Sequence, residues 1–285
     1  MNARTLINAY KWFALNPRLF QRKLAARLRR YRDPNPLREG NVRVHNATFP
    51  YNFEFGDMVR AMYYGDYEPD VCMCLESLLK PGATFVDVGA NVGYLSAMAC
   101  GLVCPNGQVH SFEPVPVLFQ QLKQVADANN NNLRFYCNQV ALGDRKGCAT
   151  IRTSRTNAGW NTMVPGFMHD AEVAESFQVN VVRLDDYLEQ RKVERVDVLK
   201  IDVEGFELPV LRGMSRFLAR TPYHPAILCE VACAAYPKLG ISLSDLEDFM
   251  SSNRYQAYDP INRKPITISE LRGTTNVLFL AEGLS

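Results

Sequence analysis

Two short segments of this 285-residue sequence set glycines and carboxylates at spacings that could hold a charged nucleoside. The first is Asp87-Val88-Gly89-Ala90-Asn91-Val92-Gly93. Glycines let the backbone turn tightly and let a ligand approach the main chain. The first N–H groups of a following helix then face that ligand. Asp87 can pair with a ligand cation, and Glu113, 24 residues beyond Gly89, can accept two hydrogen bonds from a ribose diol. Nicotinamide dehydrogenases use an acid in the same way, but their fingerprint is Gly-x-Gly-x-x-Gly, whose second glycine admits a pyrophosphate. Asn91 stands in that place here, so a nucleoside without a pyrophosphate is expected, S-adenosylmethionine rather than a dinucleotide. A plain tight turn beside a solvated Glu113 is the bland alternative, and the joint occurrence of Asp87, the loop and Glu113 disfavours it.

The second segment is Lys200-Ile201-Asp202-Val203-Glu204-Gly205-Phe206-Glu207. Acids in a first helical turn are favoured by the helix dipole, so Glu204 and Glu207 could serve only as caps. Asp202 follows an apolar strand that aims it at a ligand crevice. Methyl transfer from a sulfonium requires mainly that the acceptor be held in line behind the methyl group. An alcohol acceptor also needs a base as its proton leaves. Asp202 is the first candidate for that base, as base or as cofactor anchor, and Glu204, Glu230 and His110 follow. Lys200 is expected to pair with one of the acids. Asp202 and Glu230 could bind a divalent cation, but no tight Asp/His cluster demands one, and no metal is expected.

These residues need a scaffold, and the hydrophobic pattern describes one. Apolar strands are expected at 83–88, 108–113, 133–137, 196–201, 226–230 and 276–280, with helices at 94–102, 116–128, 206–218 and 245–252. Strands alternating with helices imply a mostly parallel sheet covered on both faces, which binds ligands at the carboxyl ends of its strands. Segments 148–152 and 177–182 look like strands of an inserted hairpin. The polar stretch 154–175, with Trp160 and His169, is a candidate wall of the acceptor pocket, Trp160 offering a face on which a sugar could stack. Residues 41–80 read as a preamble of short strands and helices.

The sequence resembles the FkbM-type S-adenosylmethionine-dependent methyltransferases. The resemblance rests on Phe85-Val86-Asp87-Val88-Gly89-Ala90-Asn91-Val92-Gly93, Ser111-Phe112-Glu113-Pro114, Val140-Ala141-Leu142-Gly143-Asp144 and Val198 to Glu207. Arg183-Leu184-Asp185-Asp186-Tyr187 and Ile227-Leu228-Cys229-Glu230 add to it, and it covers roughly residues 60–235. It implies an α/β class I methyltransferase domain, Rossmann-like, whose seven-stranded sheet has its last strand antiparallel. It implies an O-methyltransferase acting on a hydroxyl of a sugar, glycolipid or polyketide-like acceptor. By the same resemblance Asp87, Gly89, Asn91 and Gly93 hold the methionine end of the cofactor and Glu113 its ribose. Asn138, Gln139 and Val140 flank the adenine, and Asp202 lies near the sulfonium. The rival readings are a nicotinamide-dependent oxidoreductase and a non-catalytic S-adenosylmethionine-binding protein.

Composition bounds the rest. An apolar fraction of 47% supports a sizeable core. Nine of the 32 Lys/Arg lie in residues 1–32, which contain no Asp or Glu, so the remainder holds 23 basic against 30 acidic residues, a net of −7. A basic helical extension over residues 1–40 on an acidic domain over 41–285 is therefore expected. The extension is a candidate for peripheral contact with an anionic membrane, or for packing on the body, or for homo-oligomer formation. Nucleic acid is not an expected partner, because the body is acidic and carries no RNA module. The uncharged stretch Val88–Val109 holds Pro105 and four glycines, so it is not expected to span a membrane. Eight cysteines without an export signal suggest reduced thiols in a cytoplasmic protein. Their spacings do not match paired Cys-x2-Cys knuckles, and they are expected to pack as small apolar residues.

Overall fold

The structure is a computed structural model and describes residues 17–130, 134–281 and 283. The basic helix α1 (Pro17–Arg32) comes first; residues 1–16 of the expected helical extension lie outside the described residues. The preamble is a hairpin of β1 (Glu39–Val44) and β2 (Ala47–Asn52), then α2 (Asp57–Tyr64) and α3 (Pro69–Leu78). The alternating part follows with β3 (Thr84–Val88), α4 (Tyr94–Val103), β4 (Gln108–Phe112), α5 (Pro116–Asn129) and β5 (Arg134–Asn138). Four strands depart from the main sheet: β6 (Ala141–Leu142), β7 (Gly147–Ser154), β8 (Asn161–Thr162) and β9 (Val173–Val182). The chain then returns through α6 (Leu184–Arg191), β10 (Val198–Ile201), α7 (Glu207–Arg212), α8 (Ser215–Arg220) and β11 (Ala226–Ala232). It ends with α9 (Leu243–Ser252), β12 (Tyr255–Tyr258) and β13 (Thr274–Ala281).

The main sheet has the order β12-β13-β11-β10-β3-β4-β5. β10 is parallel to β3 and β11, β3 to β4 and β4 to β5, whereas β13 runs antiparallel to both β11 and β12. The chain therefore winds outward from β3 in one direction and from β10 in the other. The crevice between their carboxyl ends is the switch point where such sheets bind ligands. Strands β3 and β10 are buried at every residue, as expected for parallel strands covered on both faces. Side chains alternate across the sheet. Phe85 accordingly joins the core under α2 to α5, and Val86 and Val88 join the core under α6 to α9.

The strand–helix alternation agrees with the sequence reading, with three differences. The helix expected over 206–218 is two helices, divided at Gly213-Met214, where a Cβ on Gly213 would overlap the carbonyl of Gly143. Helix α6 and strand β12 were not expected; β12 has only four residues and borders the polar loop 259–265. The inserted hairpin is real, with β7 and β9 paired antiparallel, and forms a separate sheet of order β6-β9-β7-β8. All eight cysteines carry free thiols, and Cys148 is exposed rather than packed inside. Among the described residues no helix is long and apolar enough to cross a membrane.

Candidate active site

A cavity of ≈ 360 Å³ opens at the switch point, within the size range of small-molecule sites (about 300–1,000 Å³). The ends of β3, β4, β10 and β11 bring Val88, Phe112, Lys200, Asp202 and Glu230 to it. Its near wall is the turn Gly89-Ala90-Asn91. Gly89 has φ +79, and a Cβ there would overlap the carbonyl oxygen of Asp202, so both backbone conformation and crowding require glycine. Asn91 also adopts a left-handed backbone (φ +52) and ties three parts of the site together. Its N–H donates to Glu113 Oε2 at 2.9 Å, its Oδ1 accepts from Val92 N–H at 2.7 Å, and its Nδ2 donates to the Ala158 carbonyl at 3.2 Å.

Glu113 lines the cavity with its carboxylate fixed by the N–H groups of Asn91 and Val115, the latter at 2.8 Å. Burial raises its pKa to about 7 although both backbone N–H groups favour the ion. Lys200 is the cation at the centre. Its Nζ donates to the Gly89 carbonyl at 3.2 Å and to Asp202 Oδ2 at 3.1 Å, and lies 3.7 Å from Asp87 Oδ1. Burial alone would lower its pKa, but Asp202, Asp87 and Glu68 outweigh burial and raise it. The expected lysine–acid pairing is thus present.

Four carboxylates, those of Glu68, Asp202, Glu204 and Glu230, also line the cavity. Oxygens of Asp202, Glu204 and Glu230 all lie within 4.8 Å of one another, a tighter acidic group than the sequence suggested. Burial and the charge of Asp202 raise Glu204 to about 8. The same two causes push Glu230 and Glu68 well above the ordinary carboxylate range. A carboxyl group of this kind, once ionised, is a stronger base toward an alcohol than an ordinary carboxylate. The same oxygens are also the ligand type that hard divalent cations prefer.

Several expected residues stand behind the cavity wall rather than on it. Asp87 is fully buried; it accepts from Ser96 Oγ at 2.5 Å and stands beside Lys200, so it positions that lysine instead of facing a ligand. Gly93 starts α4, where a Cβ would press on Leu122 and Val125. Asn138 donates to the Ser111 carbonyl at 3.1 Å and to Tyr187 OH at 3.2 Å, and Gln139 is exposed; of the three residues expected at the adenine, Val140 alone lines the cavity. His110 is buried in β4, its Nδ1 2.9 Å from Tyr187 OH and its ring stacked on Tyr136, and is not a base for this site. His169 is exposed, next to the short turn Asp170–Glu172. Trp160 packs edge-on to Phe167, and the inserted sheet instead presents Ile151, Asn157, Gly159, Asn161 and Met163 to the cavity.

Sequence reasoning missed Glu68, together with Met58, Met62 and Tyr67 of the preamble. Glu68 precedes α3 with φ +34, a backbone conformation uncommon for a non-glycine residue. The available signal was the pair Glu68-Pro69: a proline in the first helical turn places the preceding residue at the helix entrance.

Comparison with known proteins is consistent with this geometry. The family described as "Methyltransferase FkbM domain" matches residues 87–257. The 31-O-demethyl-FK506 methyltransferase FkbM of Streptomyces tacrolimicus is 32% identical over 161 residues, covering 48% of this chain and 61% of that protein. The hexuronic acid methyltransferase AglP of Haloferax volcanii is 26% identical over 174 residues, covering 60% and 65%. The chain thus spans less than two thirds of the length of these curated relatives. Among solved structures, Aeropyrum pernix fibrillarin with bound S-adenosyl-L-methionine superposes with TM-score 0.40 and 14% identity, over 74% of this chain and 73% of that one.

Proposed function

Because the chain belongs to the FkbM methyltransferase family, whose methyl donor is S-adenosylmethionine, we propose that it methylates a hydroxyl oxygen of a small, sugar-like acceptor. The observation that carries this reading is the lining of one cavity: a glycine turn with a fixed Glu113, Lys200 paired with Asp202, and the further carboxylates Glu68, Glu204 and Glu230. The donor fits these residues. A left-handed glycine turn leaves backbone open to a nucleoside, and each oxygen of Glu113 retains acceptor capacity for a ribose hydroxyl after its single backbone bond. Gly89, Asn91, Glu113 and Val140 would hold the donor, with Asp202 near its positive end. When bound, the donor supplies an electrophilic methyl group on a sulfonium.

The chain's own residues then have separable tasks. The Asp202 carboxylate is already engaged by the Lys200 ammonium at 3.1 Å. It serves better as a fixed negative charge beside the cationic donor. Glu230 and Glu204 have no such partner among the described residues' ion pairs and hold their protons more tightly. In its ionised form Glu230 accepts the acceptor's hydroxyl proton as oxygen gains the methyl group, and Glu204 and Glu68 orient that hydroxyl. Asn157 and Asn161 offer amides suited to neighbouring hydroxyls. The methyltransferases acting on FK506 and on hexuronic acid support an oxygen-rich acceptor of small size.

Incubation with S-adenosylmethionine labelled in its methyl group and a panel of glycans, glycolipids and polyhydroxylated small molecules tests the reading. Label in an ether oxygen–methyl bond is expected; label only on nitrogen, carbon or carboxylate overturns it. A second reading, a divalent cation held by Asp202, Glu204 and Glu230, is favoured by the closeness of their oxygens. Activity lost to a chelator and restored by Mg²⁺ would select that reading, and activity unchanged by the chelator selects direct proton acceptance.

A further inference from the structure

Helix α1 is fastened to the body by one face. Ala26 is buried, Arg22 Nη1 contacts Glu76 Oε1 at 2.8 Å, Arg29 Nη1 donates to the Tyr64 carbonyl at 3.2 Å, and Arg30 lies over the Tyr64 ring. A helix turns residues two positions away to its opposite side. Leu24, Leu28 and Tyr31, spaced i, i+4 and i+7, accordingly form one stripe facing away from the body, exposed by 46%, 49% and 84%. Three large apolar side chains in a row on an exposed helix are more than the isolated surface residues ordinary proteins carry. Exposed Arg27 borders the stripe on one side and exposed Arg32 on the other.

We propose that this stripe is a docking face for an anionic phospholipid bilayer, with α1 lying in the plane of the headgroups. The charge pattern selects this occupant. Residues 17–32 carry Arg18, Arg22, Lys23, Arg27, Arg29, Arg30 and Arg32 and no acid. A second copy meeting the same stripe through two-fold symmetry would oppose two wholly cationic helices. An RNA backbone would satisfy the arginines but not the leucines. An anionic bilayer satisfies both, taking the leucines into the acyl boundary and pairing the arginines with lipid phosphates. The placement also serves the site. Helix α1 packs on α2 and α3, and α2 and the turn leading into α3 supply Met58, Met62, Tyr67 and Glu68 to the cavity. Docking through α1 therefore holds the cavity one helix layer from the membrane, within reach of an acceptor carried on a lipid. The docking itself does not depend on the identity of the acceptor.

The full chain is floated with phosphatidylcholine vesicles with and without phosphatidylglycerol, alongside the double variant L24E/L28E. Retention on phosphatidylglycerol vesicles but not on pure phosphatidylcholine is expected, weakening as salt is raised. The double variant should lose at least about tenfold in vesicle affinity while binding S-adenosylmethionine as the wild type does. The substituted positions are exposed, so retained cofactor binding reports an intact fold. Equal retention of variant and wild type, no retention on either vesicle, or binding to duplex RNA but not to vesicles would each overturn the proposal. So would a dimer that the double variant dissolves, since it would assign the stripe to a second copy.

Discussion

Glu230 shares a confined cavity with Asp202, Glu204 and Glu68, and burial and their charges hold its proton on well above the ordinary carboxylate range. A base acts only when deprotonated, so kcat/KM should rise with pH across neutrality and into the alkaline range. Glu230→Gln keeps the volume but cannot take a proton; kcat is expected to fall about 10²–10⁴-fold and to lose that rise, while cofactor affinity stays close to wild type. A pH–rate series on both proteins measures this, and an unaltered profile would remove Glu230 from the role. Glu113 does different work. Glu113→Ala would delete the proposed ribose acceptor and free the N–H groups of Asn91 and Val115, so Kd for S-adenosylmethionine should rise about 10–100-fold by calorimetry. The types and order of these acids were legible in the sequence because they follow apolar strands. Their burial was not. Asp87 and Asp202 have the same charge and similar neighbours in sequence, yet one is sealed behind Lys200 and the other faces the cavity. Glu68 carried almost no signal, since its place depends on how the preamble folds over the sheet.

Elements were legible where one period governed the pattern. Apolar runs marked β3, β10 and β11, whereas the break between α7 and α8 falls where Gly213 packs close to Gly143, a long-range contact that no local period encodes. The motif Arg183-Leu184-Asp185-Asp186-Tyr187 illustrates a further limit, because its first acid is a staple between elements. Asp185 is buried and accepts from the backbone N–H of Phe217 at 2.8 Å and of Arg216 at 3.2 Å, both in the first turn of α8, and from Arg183 Nη2 at 2.7 Å. Asp185→Ala would remove the carboxylate partner of the partly exposed Arg183, which keeps the Asp144 and Arg212 carbonyls, and would uncap α8. A loss of about 2–4 kcal/mol is expected in denaturant unfolding. Asp186 pairs with the same Arg216 at the surface, and Asp186→Ala should cost at most about 1 kcal/mol. Equal costs for the two substitutions would refute the staple.

At the scale of the whole molecule, the buried ionisable groups couple stability to pH, and their signs differ. His110 has its pKa lowered to about 4 by burial and by Arg191 and Arg134. Its contribution is complete above its unfolded value of about 6.5 and is lost as pH falls through the folded value. Glu113 at about 7 and Glu204 and Glu207 at about 8 are displaced the other way, chiefly by burial. Their contribution is complete below their unfolded value and is lost as pH rises through the folded ones. Between those limits the unfolded chain releases protons that the folded chain retains, so each such acid removes up to about 1.4 kcal/mol per pH unit. These three acids, with Glu68 and Glu230 raised in the same sense, act against one histidine, and the cofactor-free protein should therefore be more stable near pH 6 than near pH 8. Glu207 isolates the effect because it is fully buried, accepts from the Gly205 N–H at 2.6 Å, and has the buried Tyr236 hydroxyl beside it. Glu207→Gln preserves the acceptor and removes the ionisation. Denaturant unfolding across that range should give a shallower loss of stability for the variant than for wild type; parallel curves would mean that Glu207 ionises freely in the folded chain.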